Sequence, residues 1–302
     1  MMILTGVLWS LSNWIFSPTP SALNNNNCGG CLPWEQRCKV AIDVAKALAY
    51  LHHDCRSKVL HFDVKPENIL LDGNYNAIVS DFGISKLMKR DDSRIVTSMR
   101  GTRGYIAPEW LLGIGISEKS DVFSYGIVLL ELIGGRRSVK VIDGNGNRDC
   151  NGNPPRRRYE YFPKIVTEKL LEGKIMEIVD QRLLDLDEID ENEVKKLVHV
   201  ALWCIQHKSR RRPSMLEVVK WLEGRVAVEQ PPETKMMVVD LLSIANGQNG
   251  EDGGWQNRNK KRKPGVVARV ASQINGCLPL GSPASTSRSK SFTYTMSVIS
   301  PR

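Results

Sequence analysis

One segment limits the possible folds of this chain more than any other: "SDVFSYGIVLLELIGG", Ser120 to Gly135. Placed on a helix, this segment is apolar on almost every side, and it closes with two glycines, which commonly cap a helix C-terminus. A helix that is apolar all round belongs in a protein core. The sequence therefore predicts a buried helix with a glycine cap.

The length and composition are consistent with such a core. The chain has 302 residues, of which 41% are hydrophobic and 25% charged, as in ordinary globular proteins. Its seven cysteines are odd in number and scattered, which favours reduced thiols in a cytosolic setting. The apolar N-terminal stretch is shorter than a membrane span and lacks a basic n-region. We expect a chain that is soluble, or that is held at a membrane by something outside it.

Positive charge is concentrated at the C-terminal end. The formal net charge is +9, and residues 251–302 hold nine Lys or Arg residues against two acidic residues, an excess of seven. The low-complexity, basic, Ser/Thr-rich composition predicts a disordered tail over residues 233–302. Such a tail favours anionic partners, either lipid or nucleic acid. Because charge alone is weak evidence, we rank this hypothesis last and expect no specific nucleic acid partner.

Helical patterns dominate the rest of the chain. After Pro33, which suits a helix start, apolar residues recur at helical spacing for about five turns. Further helices are predicted within residues 161–180, 192–206 and 214–224, and the short apolar runs "KVL", "NILL" and "AIVS" predict small strands. The expected fold class is α+β and predominantly helical. We expect an irregular remnant or alternative start at residues 1–32 and one domain at residues 33–232.

The segment "HFDVKPENILL" carries a pattern typical of phosphoryl transfer. It places Asp63, Lys65 and Asn68 at fixed spacing, and "SDFG" follows with Asp81 thirteen residues after Asn68. Attack of a hydroxyl on ATP needs a carboxylate to orient it, a cation to offset charge, and hard-oxygen ligands for magnesium. Asp63 fits the first role and Lys65 the second. Asn68 and Asp81 fit the metal-ligand roles.

This ordered set resembles the motifs of protein kinases. "GTRGYIAPEW" is similar to their substrate-docking loop, "SDVFSYGIVLLEL" to their central helix and "RRPSM" to the start of their last helix. Three further segments are similar to a narrower group, the plant receptor-like kinases of the G-type lectin S-receptor-like type. They are "LPWEQRCKVAIDVAKALAYLHHDC", "ALWCIQ" and "RPSMLEVVKWLEG". The resemblance covers residues 33–232 and implies the C-terminal lobe of a serine/threonine kinase, with ATP and Mg²⁺ as cofactors and a protein substrate.

The resemblance also implies roles for individual residues. Asp63 is the catalytic base, Lys65 contacts phosphate, Asn68 and Asp81 hold magnesium, and Leu70 belongs to the floor under the adenine. Further structural roles fall on His61 beneath the magnesium loop, Phe82 and Gly83 of the D-F-G motif, Thr102 at the hydroxyl site, Glu109 paired with Arg212, and Asp121 beneath the catalytic loop.

Phe62 departs from the family pattern, because most kinases have arginine beside the catalytic acid. That arginine normally needs a phosphate on the activation loop to neutralise it. With phenylalanine at this position, we expect phosphorylation not to be an obligatory on-switch. The residues concerned are Ser93, Thr97, Ser98 and Thr102.

The region before His61 departs further from the kinase family pattern, since it contains no glycine-rich loop. "KVAID", Lys39 to Asp43, superficially resembles the strand-lysine motif, but it has Asp43 where the lysine should be and lies in a helical pattern. We expect the N-terminal lobe to be absent and the chain alone to be weak or inactive. The alternative is a non-catalytic scaffold that binds a partner protein through its uncovered cleft.

Two metal sites were considered and are disfavoured. Zinc would use Cys28, Cys31 and Cys38 with "HHDC", but the spacing fits no common finger. Calcium would use residues 149–160, where proline occupies the position that needs glycine. For location, the resemblance implies the cytosolic side of the plasma membrane, whereas the chain alone would be cytoplasmic.

Overall fold

The computed structural model describes residues 8–16, 31–89, 92, 94, 101–113, 115–142, 158–184 and 188–233. The helices are α1 Leu11–Ile15, α2 Trp34–Ala49, α3 Pro108–Leu111, α4 Lys119–Gly134, α5 Phe162–Leu171, α6 Gln181–Leu184, α7 Glu191–Cys204 and α8 Met215–Leu222. The strands are β1 Trp9–Ser10, β2 Lys58–Leu60, β3 Ile69–Leu71, β4 Ala77–Val79, β5 Lys86–Met88, β6 Val139–Ile142 and β7 Arg158–Tyr161. The predicted α+β, mainly helical class is confirmed.

Several predictions concern residues outside these ranges. They are the tail beyond Glu233, the activation-loop positions Ser93, Thr97 and Ser98, the thiol of Cys28, and the insertion at 143–157.

Helix α4 is the central element that its sequence predicts. Almost every one of its side chains is buried, and Gly135 ends the helix in the left-handed region at φ 60°. Gly126 allows close contact with α7, because a Cβ there would lie 2.7 Å from the Cβ of Cys204. The Tyr125 hydroxyl donates to the carbonyl of Ala41 in α2 at 2.9 Å. The core is therefore built from helices packed around α4.

Arg37 in α2 is a buried cation that sequence analysis missed. Its guanidinium donates to the carbonyls of Leu32 at 2.8 Å and Leu132 at 2.7 Å, and to Asp180 at 2.6 Å. Both members of the Arg37–Asp180 ion pair are buried. This network joins α2, α4 and the segment before α6, and its hydrogen bonds offset the cost of burying charge.

Residues 8–16 differ from the irregular region predicted for 1–32. They form β1 and α1, where the Ser10 hydroxyl accepts from the backbone of Ser12 and donates to the carbonyl of Pro66 at 3.1 Å. Leu11 and Ile15 are fully buried in the main core. These apolar anchors and the serine cap are the physical reason that this segment is ordered.

The loops that carry Asp63 and Asp81 connect to two small antiparallel sheets. One has the strand order β1-β3-β4, and the other pairs β2 with β5. In the first sheet Ile69 and Leu71 face the core, while Leu70 and its partner Ile78 face outward, as alternation along a strand requires. A separate hairpin pairs β6 with β7.

The predicted continuous helical pattern at residues 161–180 is interrupted. Helix α5 ends at Leu171, Gly173 adopts φ 69°, and a 3₁₀ turn follows at Ile175–Ile178. Among the described residues, no helix is both long and apolar enough to cross a membrane.

Candidate active site

The loop that carries Asp63 is held from below by Asp121 of α4. The carboxylate of Asp121 is fully buried and accepts the backbone N–H of His61 at 2.8 Å and of Phe62 at 2.7 Å. Phe62 has φ 68°, a left-handed conformation that is unfavourable for a bulky side chain. The two charge-assisted hydrogen bonds hold the loop in this turn, which positions the next residue, Asp63.

Three polar side chains contact the carboxylate of Asp63. Its Oδ2 accepts from Lys65 Nζ at 2.7 Å and from Asn68 Nδ2 at 3.1 Å. Its Oδ1 accepts from the Thr102 hydroxyl at 2.7 Å, and that hydroxyl accepts from Lys65 at 2.9 Å. The structure thus brings Asp63, Lys65, Asn68 and Thr102 into one hydrogen-bonded cluster. The cluster can accept a proton from a hydroxyl and place a cation beside it.

Asn68 and Asp81 lie at the same end of the β3–β4 pair. Ser80 donates its backbone N–H and its hydroxyl to the carbonyl of Asn68, at 2.8 and 2.9 Å. Asp81 follows in the left-handed region at φ 61° and accepts the N–H of Gly83. A Cβ at Gly83 would lie 3.0 Å from the Asp81 carboxylate, so glycine keeps this turn open.

This pair of oxygen-bearing side chains fits magnesium. Mg²⁺ prefers hard oxygen ligands and is usually held by one or two carboxylates together with substrate phosphates. In the described ranges, no group of three or more His, Cys, Asp or Glu side chains could hold a metal ion. Asp81 offers a carboxylate and Asn68 an amide oxygen, which are the ligand types that such a site uses.

His61 connects the catalytic loop to the loop of Asp81. The His61 side chain is fully buried, and its Nδ1 accepts the backbone N–H of Asp63 at 3.2 Å. Its Nε2 must then carry the proton and donate to the carbonyl of Ser80 at 2.9 Å. The ring also packs on Phe82 at 4.8 Å between centroids. His61 acts here as a structural link.

Leu70 lies on the outward apolar face of the first sheet, beside Asn68. Its cross-strand partner Ile78 is 46% exposed. Asn68, a member of the Asp63 cluster, directly precedes the strand that carries Leu70. This outward face can support a flat apolar group next to the oxygen ligands.

Glu109 and Arg212 form a buried pair away from the cluster. Arg212 donates to both oxygens of Glu109 at 2.7 Å, and its Nε donates to the carbonyl of Gln206 at 2.7 Å. The Ser120 hydroxyl also donates to Glu109 at 3.1 Å. This pair anchors α3, and with it the docking loop, to the segment before α8.

The docking loop has further anchors that sequence analysis did not identify. The Tyr105 hydroxyl donates to Glu131 of α4 at 2.7 Å, and the backbone N–H of Ser138 donates to the same carboxylate at 2.7 Å. Burial raises the pKa of Glu131 to about 7, although these hydrogen bonds oppose the shift. Burial and the Glu131 charge also raise the pKa of Tyr105. No local sequence signal joins these distant positions.

Phe62 has a partner that the sequence did not reveal. Its ring packs edge-on against Trp110 at 4.7 Å between centroids. Both belong to a small buried cluster that also contains residues of β2 and β5. The members of this cluster are Leu60, Phe62, Met88, Trp110 and Ile116. An apolar contact therefore joins the catalytic loop to the two ends of the segment between β5 and α3.

Fold, loop architecture and site geometry define a protein kinase. A family model described as "Protein kinase domain" matches residues 22–221, about two thirds of the chain. The chain belongs to the protein kinase family.

Curated relatives place the chain among receptor-like kinases. It is 62% identical over 235 residues to a probable receptor-like protein kinase of Arabidopsis thaliana, a match that covers 78% of this chain and 50% of the relative. It is 46% identical over 245 residues to the G-type lectin S-receptor-like serine/threonine-protein kinase SD2-5 of the same plant, covering 81% and 27%. A G-type lectin S-receptor-like kinase of Oryza sativa subsp. indica, LECRK1, is 39% identical over 216 residues, covering 69% and 24%.

These matches confirm the resemblance predicted from the sequence, and by family the chain is a protein serine/threonine kinase. The chain spans half or less of the length of these relatives.

Proposed function

We propose that this protein transfers the γ-phosphate of ATP to serine or threonine hydroxyls of a protein substrate, and that the chain alone does so weakly, since residues 1–60 contain no glycine-rich loop to grip the phosphates. The observation that carries the proposal is the position of Asp63, whose carboxylate accepts from Lys65, Asn68 and Thr102. The Thr102 contact demonstrates that a hydroxyl fits against this carboxylate. Asp63 orients the substrate hydroxyl and accepts its proton, as a positioned carboxylate does in general base catalysis.

Lys65 supplies the positive charge next to Asp63. Its Nζ lies 2.7 Å from the carboxylate, and its side chain is mostly buried. A cation in this position offsets negative charge that develops on the transferred group. The Thr102 hydroxyl, which bridges Asp63 and Lys65, keeps the two from rotating apart.

Asn68 and Asp81 are the residues that would hold magnesium. Bound Mg²⁺ supplies neutralisation of phosphate charge. Leu70 and Ile78 provide an apolar surface beside these ligands on which the adenine of ATP can rest. The proposal therefore assigns the nucleotide to the outward face of the first sheet and the substrate peptide to the side of Thr102.

The relatives support a wider setting for the whole protein. Their names describe receptor-like kinases, so we propose that this domain acts on the cytosolic side of the plasma membrane. The partners in this setting are ATP and a protein with an accessible serine or threonine.

A phosphate-transfer assay tests the proposal. The full chain is incubated with γ-labelled ATP, Mg²⁺ and a serine-containing protein, beside an Asp81→Ala variant. Label should appear on serine or threonine in wild type and be lost in Asp81→Ala, because the carboxylate ligand is gone. Equal labelling by both proteins would contradict the assignment of Asp81.

A second candidate, a non-catalytic scaffold, is favoured by exposed apolar side chains just before β1, in β4 and in the D-F-G motif. Leu8, Ile78 and Phe82 are 44%, 46% and 45% exposed. Such a surface can bind a partner protein. Thermal unfolding separates the two candidates, since a ligand that binds the native state raises the midpoint. A rise at millimolar Mg-ATP supports the kinase, whereas an unchanged midpoint supports the scaffold.

A further inference from the structure

Arg137, which follows the end of α4, lies against three groups from different parts of the chain. Its Nη1 donates to the Tyr105 hydroxyl at 3.1 Å, and its Nη2 pairs with the Glu67 carboxylate. Its Cζ lies 3.8 Å from the ring centroid of Phe16, directly over the aromatic face. We call the three surrounding groups, the Phe16 ring, the Glu67 carboxylate and the Tyr105 hydroxyl, the guanidinium slot.

The guanidinium slot adjoins the Asp63 cluster on two sides. Glu67 lies between Lys65 and Asn68 in the catalytic loop. Tyr105 lies in the docking loop, where its N–H donates to the carbonyl of Thr102 at 3.1 Å. The slot therefore shares its two loops with Lys65, Asn68 and Thr102, the side chains that contact Asp63.

The slot has the chemistry that selects guanidinium over other side chains. It combines a carboxylate, a hydroxyl oxygen and an aromatic face, which together match a planar, always-charged group with several N–H donors. The slot is also open to solvent, because the side chains of Arg137 and Glu67 are 43% and 38% exposed. A guanidinium could thus enter it from outside if Arg137 did not fill it.

We propose that the guanidinium slot is a peptide subsite that Arg137 fills from within the chain. The protein therefore does not select arginine next to the acceptor hydroxyl, because Glu67 already carries its counter-ion. A tethered group has an effective concentration in the millimolar range, so Arg137 outcompetes an arginine on a dilute peptide. This inference rests on the proposed kinase function, since it concerns the peptide that presents the hydroxyl.

Peptide binding without ATP tests the proposal independently of catalysis. Fluorescence anisotropy would measure labelled serine peptides that carry either arginine or alanine at each flanking position, against the full chain. For wild type, the two peptide sets should bind equally. For Arg137→Ala, arginine at one flanking position should tighten binding by about fivefold. That factor corresponds to the combined free energies of an exposed ion pair and a cation–π contact.

Two further variants test whether the vacated guanidinium slot causes the arginine preference. Arg136→Ala is the matched control, because Arg136 also pairs with a glutamate, Glu160, and lies over an aromatic ring, at 5.0 Å from the centroid of Phe162. Arg136→Ala removes the same charge from the neighbouring position, and this variant should bind arginine and alanine peptides equally, as wild type does. Adding Glu67→Gln to Arg137→Ala should abolish the gain, since the carboxylate in the slot is lost.

The contrary result is well defined. If Arg137 only links loops, Arg137→Ala lowers the unfolding midpoint but binds arginine and alanine peptides equally, which overturns the proposal. Failure to detect binding of any arginine peptide to folded Arg137→Ala, checked by circular dichroism, also overturns it. Phosphorylation assays on the same peptides keep the two ideas apart: a chain that gains the arginine preference but transfers no phosphate contradicts the kinase proposal alone.

Discussion

Phe62 combines a left-handed backbone with a buried apolar side chain. Its ring is 5% exposed and packs on Trp110, while its N–H is bound by Asp121. A residue in this conformation is held in place by its surroundings rather than by its own preference. The apolar cluster around Phe62 therefore contributes to the geometry of the adjacent Asp63.

Removal of the Phe62 ring should destabilise the fold measurably. Phe62→Ala leaves a cavity in the small cluster, and we expect a loss of about 3 kcal/mol in the free energy of unfolding, measured by urea denaturation. Phe62→Leu keeps most of the volume and should lose less than about 1.5 kcal/mol. Equal losses for the two variants would contradict the packing described for this ring.

Glu131 gives the stability of this protein a particular dependence on pH. Burial raises its pKa from 4.5 to about 7, so the folded protein binds the proton more tightly than the unfolded chain does. The stabilising contribution is complete below pH 4.5 and is lost as the pH rises through about 7. Stability due to Glu131 thus falls between pH 5 and pH 8.

Glu131→Gln isolates this effect, because glutamine is uncharged at every pH. Between pH 5 and pH 8, wild type should lose up to about 3 kcal/mol more of its unfolding free energy than the variant does. Histidines such as His53 and His199, whose pKa values are lowered by burial, titrate equally in both proteins and cancel in the difference. Parallel pH curves for wild type and variant would show that Glu131 is ionised in the fold at all these pH values.

The grouping of single residues could be predicted from the sequence where those residues belong to one local motif. Asp63, Lys65 and Asn68 lie within a few positions of one another, so their grouping follows from spacing. Glu67 lies among them, yet its partner Arg137 is distant in sequence and belongs to no motif. Contacts of that kind depend on how loops meet in space, which sequence spacing does not encode.

At the scale of elements, α4 and α7 meet at a glycine. A Cβ at Gly126 would lie 2.7 Å from the Cβ of Cys204 and from the Cγ2 of Ile205. Such distances require the two helices to move apart. The close packing of α4 against α7 thus depends on the absence of a side chain at Gly126.

Gly126→Ala should therefore destabilise the protein, by about 1 to 3 kcal/mol, because overpacking strains a tight core. Gly73→Ala is the control, since nothing lies within 4 Å of a Cβ at Gly73. That variant should change the unfolding free energy by less than about 0.5 kcal/mol. Chemical denaturation of both would check the expectation, and an unaffected Gly126→Ala protein would show that the α4–α7 contact can relax.

Three strands beside the Asp63 loop were predictable from short apolar runs. The runs "KVL", "NILL" and "AIVS" predicted β2, β3 and β4 to within a residue or so. Strand β5 was not predicted; it is as short as the other three, but its Leu87 side chain is 73% exposed and contributes nothing to the core. Strands β6 and β7 were also not predicted, because the two strands flank an insertion whose composition indicates a loop.

At the scale of the whole molecule, buried ion pairs connect segments that are far apart in sequence. Arg37 bonds to Asp180, and Arg212 bonds to Glu109. The second pair could be predicted only from the resemblance to kinases, and the first not at all, because neither residue stands out locally. Fold class and the residues of the Asp63 cluster were accessible from sequence, whereas this long-range polar framework required coordinates.

In the proposed reaction, Asp63 acts on the substrate hydroxyl rather than on nucleotide binding. The most direct test compares wild type with Asp63→Asn, measuring both Mg-ATP affinity and the rate of phosphate transfer to a serine protein. We predict that affinity changes by less than about twofold, while transfer falls by at least about 100-fold, the lower end expected for loss of a general base. Transfer by Asp63→Asn at the wild-type rate would contradict the account.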